Sequence, residues 1–240
     1  MITHYILLSS SYTNGERIAL HYATKDYNKD MERFQKIFPY IKEKCGRDVS
    51  VSSHMIKTEK DTFKSVVDKD PFFENVHVID DIDDFVNLIL QDRKLTGLDV
   101  AKYIACKCKC THLKLEKLTY LCYCDYLCKY NKKLFEDYIF AYTYGPIVSS
   151  VFNKCSKYKN REIKMREELE MPFRSRITFA EDGINKIFSI DETLKKYSYL
   201  SASGLVTLTH KECTPWDVTK NKTEITDEVI LKFHKNEVIK

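Results

Sequence analysis

His112-Leu113-Lys114-Leu115-Glu116-Lys117-Leu118-Thr119-Tyr120 is the stretch on which the reading of this 240-residue chain turns. Leu115, Leu118, Leu121 and Cys122 recur at three- and four-residue spacing, which predicts a helix over 112–129 with one face buried. Asn131 is a natural stop, because Asn tolerates the left-handed backbone that ends helices. Just upstream, Thr96-Gly97-Leu98-Asp99 reads as a helix start, and Val100, Ala101, Ile104, Ala105 and Cys108 mark one apolar face. The two segments together predict a hairpin of helices.

Downstream, Gly145 permits unusual backbone angles and Pro146 suits the first turn of a helix, where its missing N–H would be unpaired anyway. A further helix is therefore expected there, buried through Ile147, Val148, Val151, Phe152 and Cys155. Residues 156–176 are rich in Lys, Arg and Glu and predict an exposed helix or an excursion. A helix starting at Thr178 carries Ile184, Ile187, Phe188, Leu194 and Tyr197, and residues 200–215 read as a short helix and turn. Thr226 caps a terminal helix with Val229, Ile230 and Phe233 inward.

The first 92 residues read differently. Strands over 4–11 and 16–24 are joined around Thr13-Asn14-Gly15, since Asn-Gly favours hairpin turns. Met31, Phe34, Phe38 and Ile41 give a helix over 27–45 that stops at Gly46, with Pro39 as a kink. Val49 and Val51 alternate with serines in a third strand, Thr58-Glu59-Lys60-Asp61 starts a helix, 75–80 is a fourth strand, and 82–90 is a closing helix. The Asp80-Asp81-Ile82-Asp83-Asp84 run lacks the spacing and glycine of a calcium loop, so it reads as a cap and an acidic first turn. The fold class is α+β, with a small mixed module over 1–92 followed by a mainly helical domain over 93–240.

With 43% hydrophobic residues, 16 Tyr and 13 Phe against 6 Gly and 5 Pro, the chain can pack a core in both parts. The apolar runs fall far short of the roughly 20 residues that span a bilayer, and no secretory signal is visible at the start. Those features, and nine cysteines set mostly within helical patterns, predict a cytoplasmic protein with reduced thiols. The charge is uneven. Residues 1–92 hold 12 Lys and Arg against 16 Asp and Glu, whereas 93–160 hold 13 against 5. The basic middle suits an acidic partner, protein or nucleic acid.

Three ordered motifs carry a resemblance. They are Lys114-Leu115-Glu116-Lys117-Leu118 with Tyr120; Ala141-Tyr142 before Gly145-Pro146-Ile147-Val148; and Leu208-Thr209-His210 before Pro215-Trp216, which holds the chain's one Trp. Across roughly residues 98–233 the chain resembles the Panacea domain, also called SocA-like or phage-associated GepA-like, found in antitoxins of toxin–antitoxin pairs. Tyr142 stands where relatives often have Trp, and Ser149 where many have Pro. The resemblance implies a helical domain that neutralises a cognate toxin by direct contact, some relatives delivering the toxin to a protease of the host. It implies no catalytic residue and no cofactor. Leu115, Leu118, Tyr120, Tyr142, Gly145, Pro146, Ile147, Thr209, His210, Pro215 and Trp216 are then motif residues with structural roles, Trp216 buried near the turn at His210. Lys114 and Lys117 are the candidates for exposed partner contacts.

Other chemistry is weaker. Cys106, Cys108, Cys110, Cys122, Cys124 and Cys128 with His112 invite a zinc reading, but they do not form the paired Cys-x-x-Cys hooks of common structural sites. His112 and His210 lack a motif that would make either a catalytic base, and no phosphate-binding glycine loop is present. The alternative to an antitoxin is a nucleic-acid-binding regulator using Lys102, Lys107, Lys109, Lys114, Lys117, Lys129, Lys132 and Lys133 among tyrosines.

Overall fold

The computed structural model describes residues 1–219 and 222–239, which divide into two compact units, Met1–Lys94 and Leu95–Lys240. The first unit follows the order β1 (Ile2–Ser11), β2 (Glu16–Thr24), α1 (Tyr27–Cys45), β3 (Ser52–Thr58), α2 (Phe63–Lys69), β4 (Val76–Ile79) and α3 (Ile82–Arg93). Its sheet has the strand order β3-β1-β2-β4, with β1 antiparallel to β2 and β3, and β2 parallel to β4. Alternate side chains of a strand point to opposite faces. Leu7, Ile18 and Leu20 therefore pack on Phe34, Ile37 and Ile41 of α1 and Phe85, Val86 and Ile89 of α3. Ile6, Leu8 and Ala19 on the other face meet Val66 of α2 and Phe73.

Local chemistry accounts for most boundaries. Asp81 accepts the N–H groups of Asp83 and Asp84, so the acidic run begins α3 as a cap. Gly46 ends α1 at φ +93°. Asp92 accepts the Tyr12 and Thr13 N–H groups at 2.7 and 2.9 Å, pinning the β1–β2 turn to the end of α3. Two expectations shift. The third strand runs over Ser52–Thr58, leaving Val49 and Val51 as partly buried packing on the core, because its register is set by pairing with β1. Thr58 ends that strand and bonds His4 and Ser65, so α2 begins only at Phe63.

The second unit comprises α4 (Gly97–Lys107), β5 (Cys110–Thr111), α5 (His112–Tyr130), β6 (Ile139–Tyr142), β7 (Gly145–Val148), α6 (Ser149–Cys155), β8 (Glu162–Ile163), α7 (Glu170–Thr178), α8 (Gly183–Tyr197), α9 (Ala202–Thr209), α10 (Pro215–Thr219) and α11 (Asp227–Phe233). Helix α5 is the axis. It packs against α4, α8, α9, α11 and β7, and every residue from Leu115 to Cys124 is buried. A helix buried on all sides must satisfy its polar groups internally, and α5 does so through Thr119 to the Leu115 carbonyl, Tyr120 to Glu237, and Tyr123 to Asp227. Thr96 and Asp99 form a capping box on α4, and Asn131 ends α5 at φ +53°.

Gly145-Pro146 does not launch a helix. Gly145, Pro146 and Ile147 lie in β7, paired antiparallel with Tyr142, Ala141 and Phe140, and the helix begins after Val148. Residues 156–176 are tied down by the β5–β8 pair and by α7, whose Ile177 is fully buried. The helix expected from Thr178 starts at Gly183 instead, and it leaves Ile184 and Phe188 exposed while burying Ile187, Ile190 and Leu194. Thr226 caps α11 as expected. Among the described residues no helix is long and apolar enough to cross a membrane.

Candidate functional site

The three motifs meet at the β6–β7 hairpin. Strand β7 has β6 on one side; on its other side two side chains of α5 stand in for a neighbouring strand. Lys117 Nζ donates to the Pro146 carbonyl at 2.7 Å, and the Val148 N–H donates to Glu116 Oε2 at 2.9 Å. The Glu-Lys pair thus satisfies a donor and an acceptor that would otherwise be buried unpaired, each omission costing about 1 to 3 kcal/mol. Glu116 Oε1 lies 3.3 Å from His112 Nε2.

Gly145 fits this arrangement for two reasons. Its φ of +101° disfavours any L side chain, and a Cβ there would sit 2.7 Å from Lys117 Cε, 3.0 Å from its Nζ and 3.2 Å from His210 Nε2. Gly145→Ala is expected to destabilise the second unit by about 1 to 3 kcal/mol. A thermal unfolding midpoint equal to that of the parent would refute this account of the glycine.

The third motif closes the hairpin from the other end. Thr209 is fully buried and bonds the Leu205 carbonyl, while Thr214 bonds back to the Thr209 carbonyl at 2.8 Å, folding the chain between α9 and α10. Pro215 is buried at the first position of α10. His210 stacks on Trp216 with ring centres 3.6 Å apart and planes within 4°, and the indole N–H donates to the Tyr142 carbonyl at 2.7 Å. Trp216 is half-buried, less enclosed than its pattern predicts. His210 Nε2 is buried and has no partner among the described residues.

Lys117 is not the exposed contact that its sequence position suggests. It is 0% exposed, and burial lowers its ammonium to about 7, against a smaller opposing pull from Glu116. Burial, and then the charge of Lys117, lower His210 as well. Lys114 is half-buried and donates to the Ser198 carbonyl at 2.6 Å. Leu115, Leu118 and Tyr120 are buried scaffold.

A cleft of about 560 Å³ opens beside the hairpin. It is lined by buried Glu116 and Lys117, by His112, Tyr142, Ile147 and Phe152, and by exposed Tyr144, Lys159 and Lys222. Tyr144 at the hairpin tip is 71% exposed, and Lys222 lies over the Tyr142 ring at 5.8 Å. Sequence reading missed Tyr144, Lys159 and Lys222, because no periodicity marks them; the tyrosine next to Gly145 was the available signal.

The basic segment is partly neutralised where it folds. Lys107 pairs with Glu170 at 2.8 Å and Lys129 with Glu192 at 2.8 Å, while Lys132 and Lys133 lie within 3.9 and 3.8 Å of Asp182 and Asp227. With Lys117 buried and Lys114 held by a carbonyl, the run does not form one open phosphate-binding stripe.

The second unit is therefore a helical domain organised around a hairpin clamped by buried Glu and Lys side chains and half-buried His and Trp side chains. Residues 115–217 match the family model described as antitoxin SocA-like, Panacea domain. The match bears out the resemblance read from the three motifs, over a shorter span than the motifs alone suggest, and it suggests an antitoxin role. No curated protein and no solved structure matches the chain.

Proposed function

We propose that this chain is a non-enzymatic antitoxin that neutralises a cognate protein toxin by direct contact, and that the cleft beside the hairpin forms part of the contact. The observation that carries the reading is the convergence of all three family motifs on the hairpin that borders that cleft, the first two also lining it. A rigidly clamped hairpin presents an exposed aromatic tip, Tyr144, with Lys159 and Lys222 beside it. Exposed aromatic anchors flanked by cations suit an acidic partner surface, and electrostatic complementarity favours that partner while excluding basic ones. Lys159, Lys222 and Tyr144 replace Lys117 as the contact residues, with Lys114 at the edge of the same helix turn. The first 92 residues serve as a separable module that tunes partner choice, in keeping with their opposite charge balance.

Co-expression with the product of any neighbouring gene that is toxic when expressed alone is the test. Growth should be rescued and the two chains should co-purify; Tyr144→Ala with Lys222→Glu should weaken rescue without changing the unfolding midpoint. Residues 93–240 alone should fold cooperatively and lose partner preference. Rescue that needs a host protease would place the chain among adaptors. Rescue with turnover of the toxin and no detectable contact would overturn the binding mechanism, and undiminished rescue by the double variant would remove the cleft from it.

A further inference from the structure

We propose that Cys124, His234 and Glu237 form a zinc site that fastens the C-terminal turn of the second unit to α5. A Cys124 sulfur, a His234 ring nitrogen and a Glu237 carboxylate oxygen all lie within 4.8 Å of one another, and all three residues are buried. Zinc binds thiolate sulfur at about 2.3 Å and imidazole nitrogen or carboxylate oxygen at about 2.0 to 2.2 Å, so atoms sharing one ion stand roughly 3 to 4 Å apart. A pair at the 4.8 Å limit needs to close by about 1 to 2 Å to meet that spacing.

The surroundings favour an ion over a chance meeting of side chains. His234 Nε2 lies 2.8 Å from Asp125 Oδ1, and Asp125 is held in turn by Thr193 at 2.8 Å. A carboxylate on the far nitrogen is the usual support of a metal-bound imidazole, because it fixes the tautomer and aims the other nitrogen at the metal. Here that nitrogen is Nδ1, 2.8 Å from Glu237 Oε1. Tyr120 donates to the same Oε1, which orients the carboxylate, whereas Glu237 Oε2 is buried with no partner among the described residues. A buried carboxylate oxygen without a partner is costly, and a cation satisfies it.

The ligand set selects the metal. Thiolate, imidazole and one carboxylate suit zinc, while magnesium and calcium take oxygen-only cages. On binding, the Cys124 thiol proton and the Nδ1 proton pass to solvent, Glu237 enters as carboxylate, and thiolate plus carboxylate balance the dication. The fourth position of the tetrahedron falls to water. Because the three ligands come from α5 and from the segment after α11, the ion cross-links residues 110 positions apart. Cys124 lies inside the matched span 115–217, and His234 and Glu237 lie outside it.

The full chain, expressed with zinc and dialysed extensively, should carry one zinc ion by plasma mass spectrometry, and a chelator should lower its unfolding midpoint. Cys124→Ser and Glu237→Gln should each lose the metal; Cys108→Ser should keep it. Glu237→Gln is isosteric and preserves an acceptor for Tyr120, which guards against simple misfolding. If neither variant folds, cobalt substitution of the parent chain decides: a thiolate-to-cobalt band of one-sulfur intensity supports the site, and its absence or a multi-sulfur band overturns it. A parent chain that is metal-free and not stabilised by added zinc overturns it too, as does zinc retained by both ligand variants.

Discussion

Trp216→Ala should lower the stability of the second unit by about 3 kcal/mol, measured as a drop in the urea midpoint at unchanged slope. Three losses combine. The indole loses its stack on His210, the Tyr142 carbonyl loses the N–H that reaches it at 2.7 Å, and a gap opens between α10 and the hairpin. Half-burial of Trp216 holds the expected figure to the lower end of the range for Trp truncations in cores. Trp216→Phe separates the terms: it restores most of the stack and apolar area while leaving the carbonyl unpaired, so it should recover roughly half of the loss, a hydrogen bond of this kind being worth about 1 kcal/mol. The same two variants should reduce toxin rescue in proportion to stability if Trp216 acts only as scaffold. An unaltered midpoint in Trp216→Ala would sink the clamp.

The parts of the fold that were legible were those written locally. Gly46 and Asn131 stop α1 and α5, Thr96 with Asp99 starts α4, Asp81 starts α3, and the apolar spacing of α5 is continuous. What was not legible depends on distant partners. Pro146 has the local signature of a helix start, yet pairing with Ala141 and the Lys117 ammonium make it a strand residue. Val49 and Val51 alternate like a strand, but the register of β1 selects Ser52–Thr58. Ile184 and Phe188 have helical spacing and still face outward, because the packed side of α8 is set by α5 and α7. Of the site, the motif residues were visible as a set, and their meeting was not. Lys117 was misjudged for a general reason: lysine is almost never fully buried, and nothing in Leu-Glu-Lys-Leu announces a carbonyl waiting across the fold.

That buried lysine should leave a signature in the pH dependence of stability. In the unfolded chain Lys117 has the ordinary lysine value of 10.5, and in the folded chain it falls to about 7, with burial as the main cause. Below the lower value both states carry the proton, and the folded state bears the full cost of a buried ammonium. Between the two values the unfolded chain holds a proton that the folded chain has shed, so stability rises with pH and levels off above the unfolded value. Each pH unit in that window corresponds to about 1.4 kcal/mol, so the gain from this one residue between pH 7 and pH 10 is on the order of 4 kcal/mol. Lys117→Met fills similar volume without titrating. Its loss of the hydrogen bond to Pro146 is a constant offset of about 1 kcal/mol, whereas the slope is not constant. Urea unfolding of both chains from about pH 6 to about pH 10 should therefore give stability curves that diverge, the parent gaining on the variant as pH rises. Other titrating groups are common to the two chains and cancel in the difference, except His210, which feels the Lys117 charge and contributes at the acid end of the range. Curves that run parallel over the whole range would mean that Lys117 keeps its proton inside the fold, and that the hairpin is clamped by a full charge rather than by an amine.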